Sequence, residues 1–167
     1  MRPILQRERP VEILLVEDCA ADARFLHEVL KDIALPTTLH VVEDGQPALA
    51  FLRKHGAYAQ APTPDLVLLD LFLPRLSGQE VFVAMKQDVS LAQIPVCLFV
   101  QDEHDPSLAS IEAHGLPIPF TLTKPVQAEH LTEILSTLPC EAGLPVAARV
   151  VGRSRGITEP YLDAPPL

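Results

Sequence analysis

Five short apolar runs alternate with stretches of helical periodicity, and this alternation most constrains how the chain can fold. The predicted strands are residues 12–16 (EILLV), 38–42 (TLHVV), 65–69 (DLVLL), 96–100 (VCLFV) and 120–122 (FTL). Between them, apolar residues recur at helical spacing, as in Phe25, Leu26, Val29, Leu30 and Ile33. Strands that alternate with helices indicate βαβ units and a parallel sheet. Near-continuous apolar strands also suit a sheet that is covered on both faces.

Five βα units leave few possible topologies. Crossovers between parallel strands are right-handed, and the helices have to cover both faces of the sheet. The natural closure is an α/β, flavodoxin-like doubly wound (βα)5 fold, with a five-stranded parallel sheet in the order 2-1-3-4-5. We expect one domain over residues 11–138, preceded by an N-terminal extension at 1–10. Residues 139–167 lack helical or strand periodicity beyond ARVV (148–151) and are predicted to form a C-terminal tail that is flexible or depends on a partner for its structure.

Acidic side chains stand at the ends of two of these strands. Glu17 and Asp18 follow the first strand, and Asp70 follows the third. In an open parallel sheet, ligands bind outside the C-terminal ends of the strands, where the strand order reverses. If the two strands are neighbours, the three carboxylates converge, and like charges that close need a compensating cation. Hard oxygen ligands in a compact, partly hydrated site predict Mg²⁺.

Lys124, just after the fifth strand, can bring a second cation to the same area. Carboxylates, a metal and a lysine at a switch point predict phosphoryl chemistry, with Asp70 as the nucleophile and the cations neutralising the transferred charge. Each residue taken alone has a more ordinary explanation, because an acidic pair after a strand is usually a solvated loop or a helix cap. The prediction therefore depends on their joint placement at three strand ends.

Charge and hydropathy exclude several classes of function. Thirteen Lys and Arg residues against 22 Asp and Glu give a formal net charge of −9, which repels the phosphates that supply most nucleic-acid affinity. The apolar runs are far shorter than the ~20 residues that span a bilayer, and the N-terminus lacks the apolar region of a secretory signal. We therefore expect a cytoplasmic protein with no nucleic-acid or membrane partner. Three cysteines without a CxxC spacing suit reduced thiols.

Three segments together resemble a response-regulator receiver domain. They are ILLVED (13–18), PDLVLLDLFLPRLSG (64–78) and TKP (123–125), and the resemblance covers roughly residues 11–138. The long connection before the third strand, FLRKHGAYAQAPTPDLVLLD, also resembles stand-alone receivers that serve bacterial phytochromes and related sensor histidine kinases. The implied partners are a kinase of the bacteriophytochrome type and a second copy of the chain, bound through the fourth and fifth βα units.

The resemblance implies a role for each residue that matches the family motif. Asp70 would accept phosphate from a kinase histidine, and Lys124 would contact the phosphoryl group. Asp18 and Asp70 would bind magnesium together with the backbone carbonyl of Phe72, and Glu17 would act through water.

The sequence departs from the family at the positions that transmit phosphorylation. The fourth strand of a receiver usually ends in Ser or Thr, whose hydroxyl contacts the aspartyl phosphate, and here Val100 stands in that place. The next position, usually small, is Gln101. The aromatic switch residue falls on Thr121, with Phe120 beside it. The resemblance thus implies that the chemistry is kept while the switch is degenerate.

Three functions stay open at this point. The first is a single-domain response regulator of a two-component phosphorelay, which signals by protein contact and is not an enzyme beyond magnesium-assisted self-phosphorylation and dephosphorylation. The second is a pseudo-receiver, a protein-binding module whose conformation ignores phosphorylation. The third is an aspartyl-phosphate hydrolase, which is weakest because that chemistry usually needs a second aspartate two residues after the nucleophile, where the chain has Phe72.

Overall fold

Strands and helices alternate along the chain as the periodicity predicts. The computed structural model describes residues 9–117 and 119–139 and the backbone of residues 157–158. The strands are β1 (Val11–Val16), β2 (Thr37–Val42), β3 (Leu66–Asp70), β4 (Val96–Val100), β5 (Phe120–Thr123) and β6 (Ile157–Thr158). The helices are α1 (Ala20–Lys31), α2 (Gly45–Leu52), α3 (Gly78–Gln87), α4 (Pro106–Ala113) and α5 (Ala128–Thr137), with a 3-10 turn at Gly56–Tyr58. Among the described residues, no helix has both the length and the apolar character needed to cross a bilayer.

The sheet has the order β2-β1-β3-β4-β5-β6, and its first five strands are parallel. This confirms the flavodoxin-like order 2-1-3-4-5. The register pairs Val16 with Leu69 and Asp70 with Phe99. The C-terminal ends of β1, β3 and β4 therefore meet at one edge of the sheet, next to the end of β5.

The apolar strands are buried because helices pack on both faces of the sheet. On one face, α2, α3 and α4 contribute Phe51, Phe82 and Ile111 to a core cluster that includes alternate residues of the strands. On the other face, α1 and α5 contribute Leu26 and Leu131 to a second cluster. Neighbouring strand residues point to opposite clusters, so each strand needs apolar side chains at nearly every position.

One strand is displaced by a residue from its predicted position. β3 was expected at residues 65–69 but spans Leu66–Asp70, so Asp70 is the last strand residue rather than the residue after the strand. Asp65 lies just before the strand, where its carboxylate accepts a hydrogen bond from the Glu12 N–H at 2.9 Å and pairs with Arg9 at 2.8 Å. Asp65 thereby connects the N-terminal end of β3 to the start of β1.

A short sixth strand extends the sheet beyond the five that the sequence predicts. β6 pairs antiparallel with β5, with Thr158 opposite Thr121 and Ile157 opposite Leu122. Its two residues fall inside the predicted flexible tail. The remainder of that tail (140–156 and 159–167) and residues 1–8 of the N-terminal extension lie outside the described residues, so tail flexibility stays a prediction.

Candidate functional site

The C-terminal edge of the sheet brings the three predicted carboxylates together. β1 and β3 are neighbours, so Glu17 and Asp18, directly after β1, lie beside Asp70 at the end of β3. Carboxylate oxygens of these three residues lie within 4.8 Å of one another. Glu17 and Asp70 are 2% and 7% exposed, whereas Asp18 faces solvent. The site thus has a buried acidic floor and one exposed carboxylate.

Lys124 reaches this cluster from the end of β5. Its ammonium lies 2.5 Å from Glu17 Oε2 and 2.6 Å from Asp70 Oδ2, and it sits 5.4 Å from the centre of the Phe99 ring. Burial lowers the pKa of Lys124, but its hydrogen bonds with Asp70, Glu17 and Asp22 outweigh burial and raise the pKa above its ordinary value. Lys124 is therefore a fixed positive charge across the physiological pH range.

The buried carboxylate of Glu17 is held from two sides. Its Oε1 accepts a hydrogen bond from the Cys19 N–H at 3.0 Å, while Oε2 faces Lys124. Burial raises the pKa of Glu17; the bonds from Lys124 and the Cys19 N–H oppose the shift, and repulsion from Asp70 adds to it. Glu17 consequently depends on Lys124 for compensation of its charge.

Asp70 is fixed by backbone as well as by Lys124. Its Oδ1 accepts a hydrogen bond from the Phe72 N–H at 2.8 Å. The predicted role of the Phe72 carbonyl as a metal ligand stays a prediction. The Phe72 side chain is 59% exposed.

The residues present fit a small divalent cation. The Lys124 ammonium contacts the carboxylates of Glu17, Asp22 and Asp70, and Asp18 lies beside Glu17 and Asp70. Four carboxylates against one ammonium leave a formal excess of three negative charges. Carboxylate oxygens within 4.8 Å of one another are near enough for one cation to bind more than one of them. The donor set therefore suits Mg²⁺ or a similar hard cation.

The structure places the predicted switch positions at the end of β4 and along β5. Val100 is 6% exposed, lies opposite Thr123 and packs in the cluster on the α2–α4 face. Thr121 is 1% exposed and lies opposite Leu98 in the register. Leu98 belongs to the same cluster as Val100. Phe120 instead packs against the cluster on the α1 and α5 face. In this register no aromatic side chain of β5 stands beside Val100.

Sequence reasoning missed two acidic residues that shape the site. Asp22, on the first turn of α1, lies 2.9 Å from the Lys124 ammonium. Asp105, 3% exposed, accepts the Gln101 N–H and the Ser107 N–H, each at 3.0 Å. The position of Asp22 in the first turn of the helix that follows the acidic pair could have suggested a place near the site. Asp before Pro106 at a helix start could have suggested Asp105 as an N-cap.

Asp105→Ala should destabilise the protein by about 2 kcal/mol at neutral pH, because it removes the α4 cap and the tie to Gln101. Burial opposes ionisation of Asp105, but the hydrogen bonds from Gln101 and Ser107 outweigh it and lower its pKa. The folded protein then binds this proton less tightly than the unfolded chain, whose Asp pKa is about 3.9. The stabilisation is complete above that value and is lost as the pH falls through the lower folded pKa.

Urea unfolding of the native chain and of Asp105→Ala, at neutral pH and near pH 3, measures this effect. Asp102→Ala is the control in the same loop, since Asp102 is exposed and its side chain accepts the His104 N–H. We expect it to change the free energy of unfolding by less than about 0.5 kcal/mol. Equal stability of the Asp105 and Asp102 variants at neutral pH would contradict the role of Asp105.

Comparison with known proteins identifies the family to which this site belongs. A family model described as the response regulator receiver domain matches residues 13–136. Response regulator Rcp1 of Synechocystis sp. is 43% identical over 106 residues, which cover 63% of this chain and 72% of Rcp1. The crystal structure of the Mn(2+)-bound form of Rcp1 superposes with a TM-score of 0.63 at 34% identity, covering 78% of this chain and 100% of that chain.

Two further solved structures are similar over the same part of the chain. The phosphorylated cyanobacterial phytochrome response regulator RcpA has a TM-score of 0.64 at 34% identity and covers 77% of this chain and 90% of its own. The bacteriophytochrome response regulator AtBRR has a TM-score of 0.67 at 30% identity, and the match covers 77% of this chain and 92% of AtBRR. With its five βα units, its acidic cluster and Lys124 all inside the matched segment, the chain belongs to the response regulator receiver family, whose members act in two-component signalling.

Proposed function

We propose that this protein accepts a phosphoryl group from a sensor histidine kinase on Asp70 and signals by protein contact. The convergence of Asp70, two further carboxylates and Lys124 at one edge of the sheet is the observation that carries the proposal. The chain is then a phosphoacceptor in a cytoplasmic two-component phosphorelay rather than an enzyme with its own turnover, and its chemistry is limited to self-phosphorylation and dephosphorylation.

The geometry supports nucleophilic attack by Asp70. A carboxylate oxygen of Asp70 forms a bond to phosphorus, the phosphorus–nitrogen bond of phosphohistidine breaks, and its electron pair leaves with the imidazole. Lys124, 2.6 Å from Asp70 Oδ2, can follow the incoming negative charge. Magnesium held by Asp18, Asp70 and the Phe72 carbonyl, with Glu17 acting through water, would supply further neutralisation of that charge.

Features next to Lys124 favour a protein partner at this edge. A pocket of about 450 Å³ opens between α1 and the β5–α5 connection, and its lining includes Phe25, Phe99 and Val126. Phe25 is 48% exposed beside it. The similar protein RcpA is a cyanobacterial phytochrome response regulator and AtBRR is a bacteriophytochrome response regulator, which supports a sensor kinase of the phytochrome type as the phosphoryl donor.

A homodimer through the fourth and fifth βα units belongs to the same proposal. In this structure β6 already pairs with the outer edge of β5. A second copy of the chain would therefore meet a face that includes the C-terminal strand.

A pseudo-receiver is the second candidate, and the switch region favours it. Val100 provides no hydroxyl to a phosphoryl group, and the Gln101 N–H is already bonded to Asp105. Both features weaken the link between phosphorylation and the β4–α4 loop. An aspartyl-phosphate hydrolase finds less support, because the residue two positions after Asp70 is Phe72.

Amide NMR with magnesium and beryllofluoride tests these candidates. In the native chain we expect shifts around Asp18, Asp70 and Lys124 and only small changes over residues 101–113. Val100→Thr should enlarge the changes over 101–113, because a hydrogen bond to a charged acceptor contributes about 1.5–3 kcal/mol and shifts a conformational ratio about 10- to 100-fold.

Val96→Thr supplies the matched control, since it makes the same substitution at the opposite end of β4, where the side chain is fully buried. Large native changes over 101–113 to which Val100→Thr adds nothing would contradict the degenerate switch. No response around Asp70 in any variant would contradict phosphoryl acceptance itself.

A further inference from the structure

All three hydrogen-bond donors of the Lys124 ammonium are engaged in this structure. A lysine ammonium carries three N–H donors. Here each has its own carboxylate acceptor: Glu17 Oε2 at 2.5 Å, Asp70 Oδ2 at 2.6 Å and Asp22 Oδ2 at 2.9 Å. If Lys124 is to bind a phosphoryl oxygen, it has to exchange one of these three partners.

The three acceptors differ in how easily Lys124 can leave them. Glu17 is 2% exposed, and Lys124 is its ion-pair partner among the residues that the structure describes, so its buried charge depends on that contact. Asp70 is the group that carries the phosphoryl, so Lys124 has to remain beside it. The Asp22 side chain is 45% exposed, and water can replace the ammonium there. Asp22 is therefore the partner that Lys124 releases at least cost.

We propose that Asp22 is a positioning residue that competes with the phosphoryl group for Lys124 and so limits how strongly the phosphorylated state is stabilised. This inference rests on the proposed function of Asp70. Asp22 holds the ammonium over the site before phosphorylation and gives it up afterwards. Its own negative charge also opposes an incoming anion at the rim of the site.

A purely structural role of Asp22 makes a different prediction. An acid in the first turn of α1 interacts favourably with the helix dipole. If that were its only role, replacing Asp22 would loosen the start of α1 and weaken the binding of every ligand of the site to the same extent. Competition for Lys124 instead predicts that binding of the anion and of the metal respond in opposite or unequal ways.

The test compares Asp22→Asn with the native chain in two NMR titrations. With magnesium saturating, we expect Asp22→Asn to bind beryllofluoride about 3- to 5-fold more tightly, as the loss of one exposed ion pair allows. With magnesium alone, we expect its affinity to stay within about twofold or to fall, because a negative charge has been removed. In metal-free protein, the Lys124 Nζ resonance should move.

Two further variants complete the test. Asp32→Asn removes the same charge from the exposed C-terminal end of α1 and should leave both affinities and the Lys124 resonance unchanged. Asp22→Glu keeps the charge and should bind beryllofluoride with nearly native affinity. Asp22→Ala replaces Asp22→Asn if the latter does not fold, with the same expected direction.

The inference is overturned if beryllofluoride affinity is unchanged or lower in Asp22→Asn while the native chain binds it. It is also overturned if Asp32→Asn strengthens binding equally, since the effect would then be one of net charge. If the native chain binds no beryllofluoride at all, the proposed function of Asp70 fails together with this inference, an outcome distinct from the other two.

Discussion

Asp70→Asn is expected to lose covalent labelling by acetyl phosphate in the presence of magnesium, a reduction of at least about 100-fold. The amide oxygen of an asparagine cannot attack phosphorus as a carboxylate does. Glu17 does not replace it, because the Glu17 carboxylate is buried against Lys124 and the Cys19 N–H. Intact-mass spectrometry of the protein after incubation with acetyl phosphate measures the loss.

The substitution should leave the fold intact, so that the loss reports chemistry. The amide oxygen introduced by Asp70→Asn can still accept the Phe72 N–H, and the removed charge came from a cluster of three carboxylates that repel one another. Asp32→Asn, at the far end of α1, controls for the loss of one negative charge and should be labelled like the native chain. Labelling of Asp70→Asn at the native level would show that another residue accepts the phosphoryl group.

The fold was predictable because the relevant signal is local and repeated. Each parallel strand is buried on both faces, so it appears in the sequence as an apolar run, and the runs located all five parallel strands to within about one residue. β6 carries no such signal. It has two residues and exists only through its pairing with the edge of β5, a contact with a segment more than thirty residues earlier.

The convergence of Glu17, Asp18 and Asp70 was predictable for a related reason. Once the order 2-1-3-4-5 is assumed, the ends of β1 and β3 have to be adjacent, and the acids at those ends have to meet. The contact of Asp22 with Lys124 could not be predicted in this way, because Asp22 lies on a helix. That contact depends on how α1 is placed against the β5–α5 connection. Side-chain contacts between elements distant in sequence leave no periodic trace.

The side-chain orientation in the switch region could not be predicted from the sequence. Alignment with the family left it open whether Phe120 or Thr121 faces Val100, because a shift of one residue turns a strand side chain to the opposite face. The register Leu98 to Thr121 settles this geometry and leaves Phe120 on the face of α1 and α5. Only the pairing of β4 with β5 fixes that choice, and no residue pattern within β5 encodes it.

Gly78→Ala is expected to lower the free energy of unfolding by about 3 kcal/mol, because the added methyl group has no space. A Cβ on Gly78 would collide with the carbonyl oxygen of Asp70 and press on the backbone of Leu71. These obstacles are backbone atoms, so no side-chain rotation relieves them. The start of α3 would have to move away from the end of β3, and Asp70 would move with it.

The same displacement should weaken magnesium and beryllofluoride binding at least about tenfold, since the site depends on the position of Asp70. Urea unfolding and the NMR titrations measure the two effects. Gly56→Ala is the control: its φ of +57° makes alanine unfavourable, but nothing lies within 4 Å of the added Cβ. It should cost about 1 kcal/mol through backbone strain alone and leave ligand binding native. If Gly78→Ala is no less stable than Gly56→Ala and binds magnesium like the native chain, close packing of α3 on Asp70 does not hold the site in place.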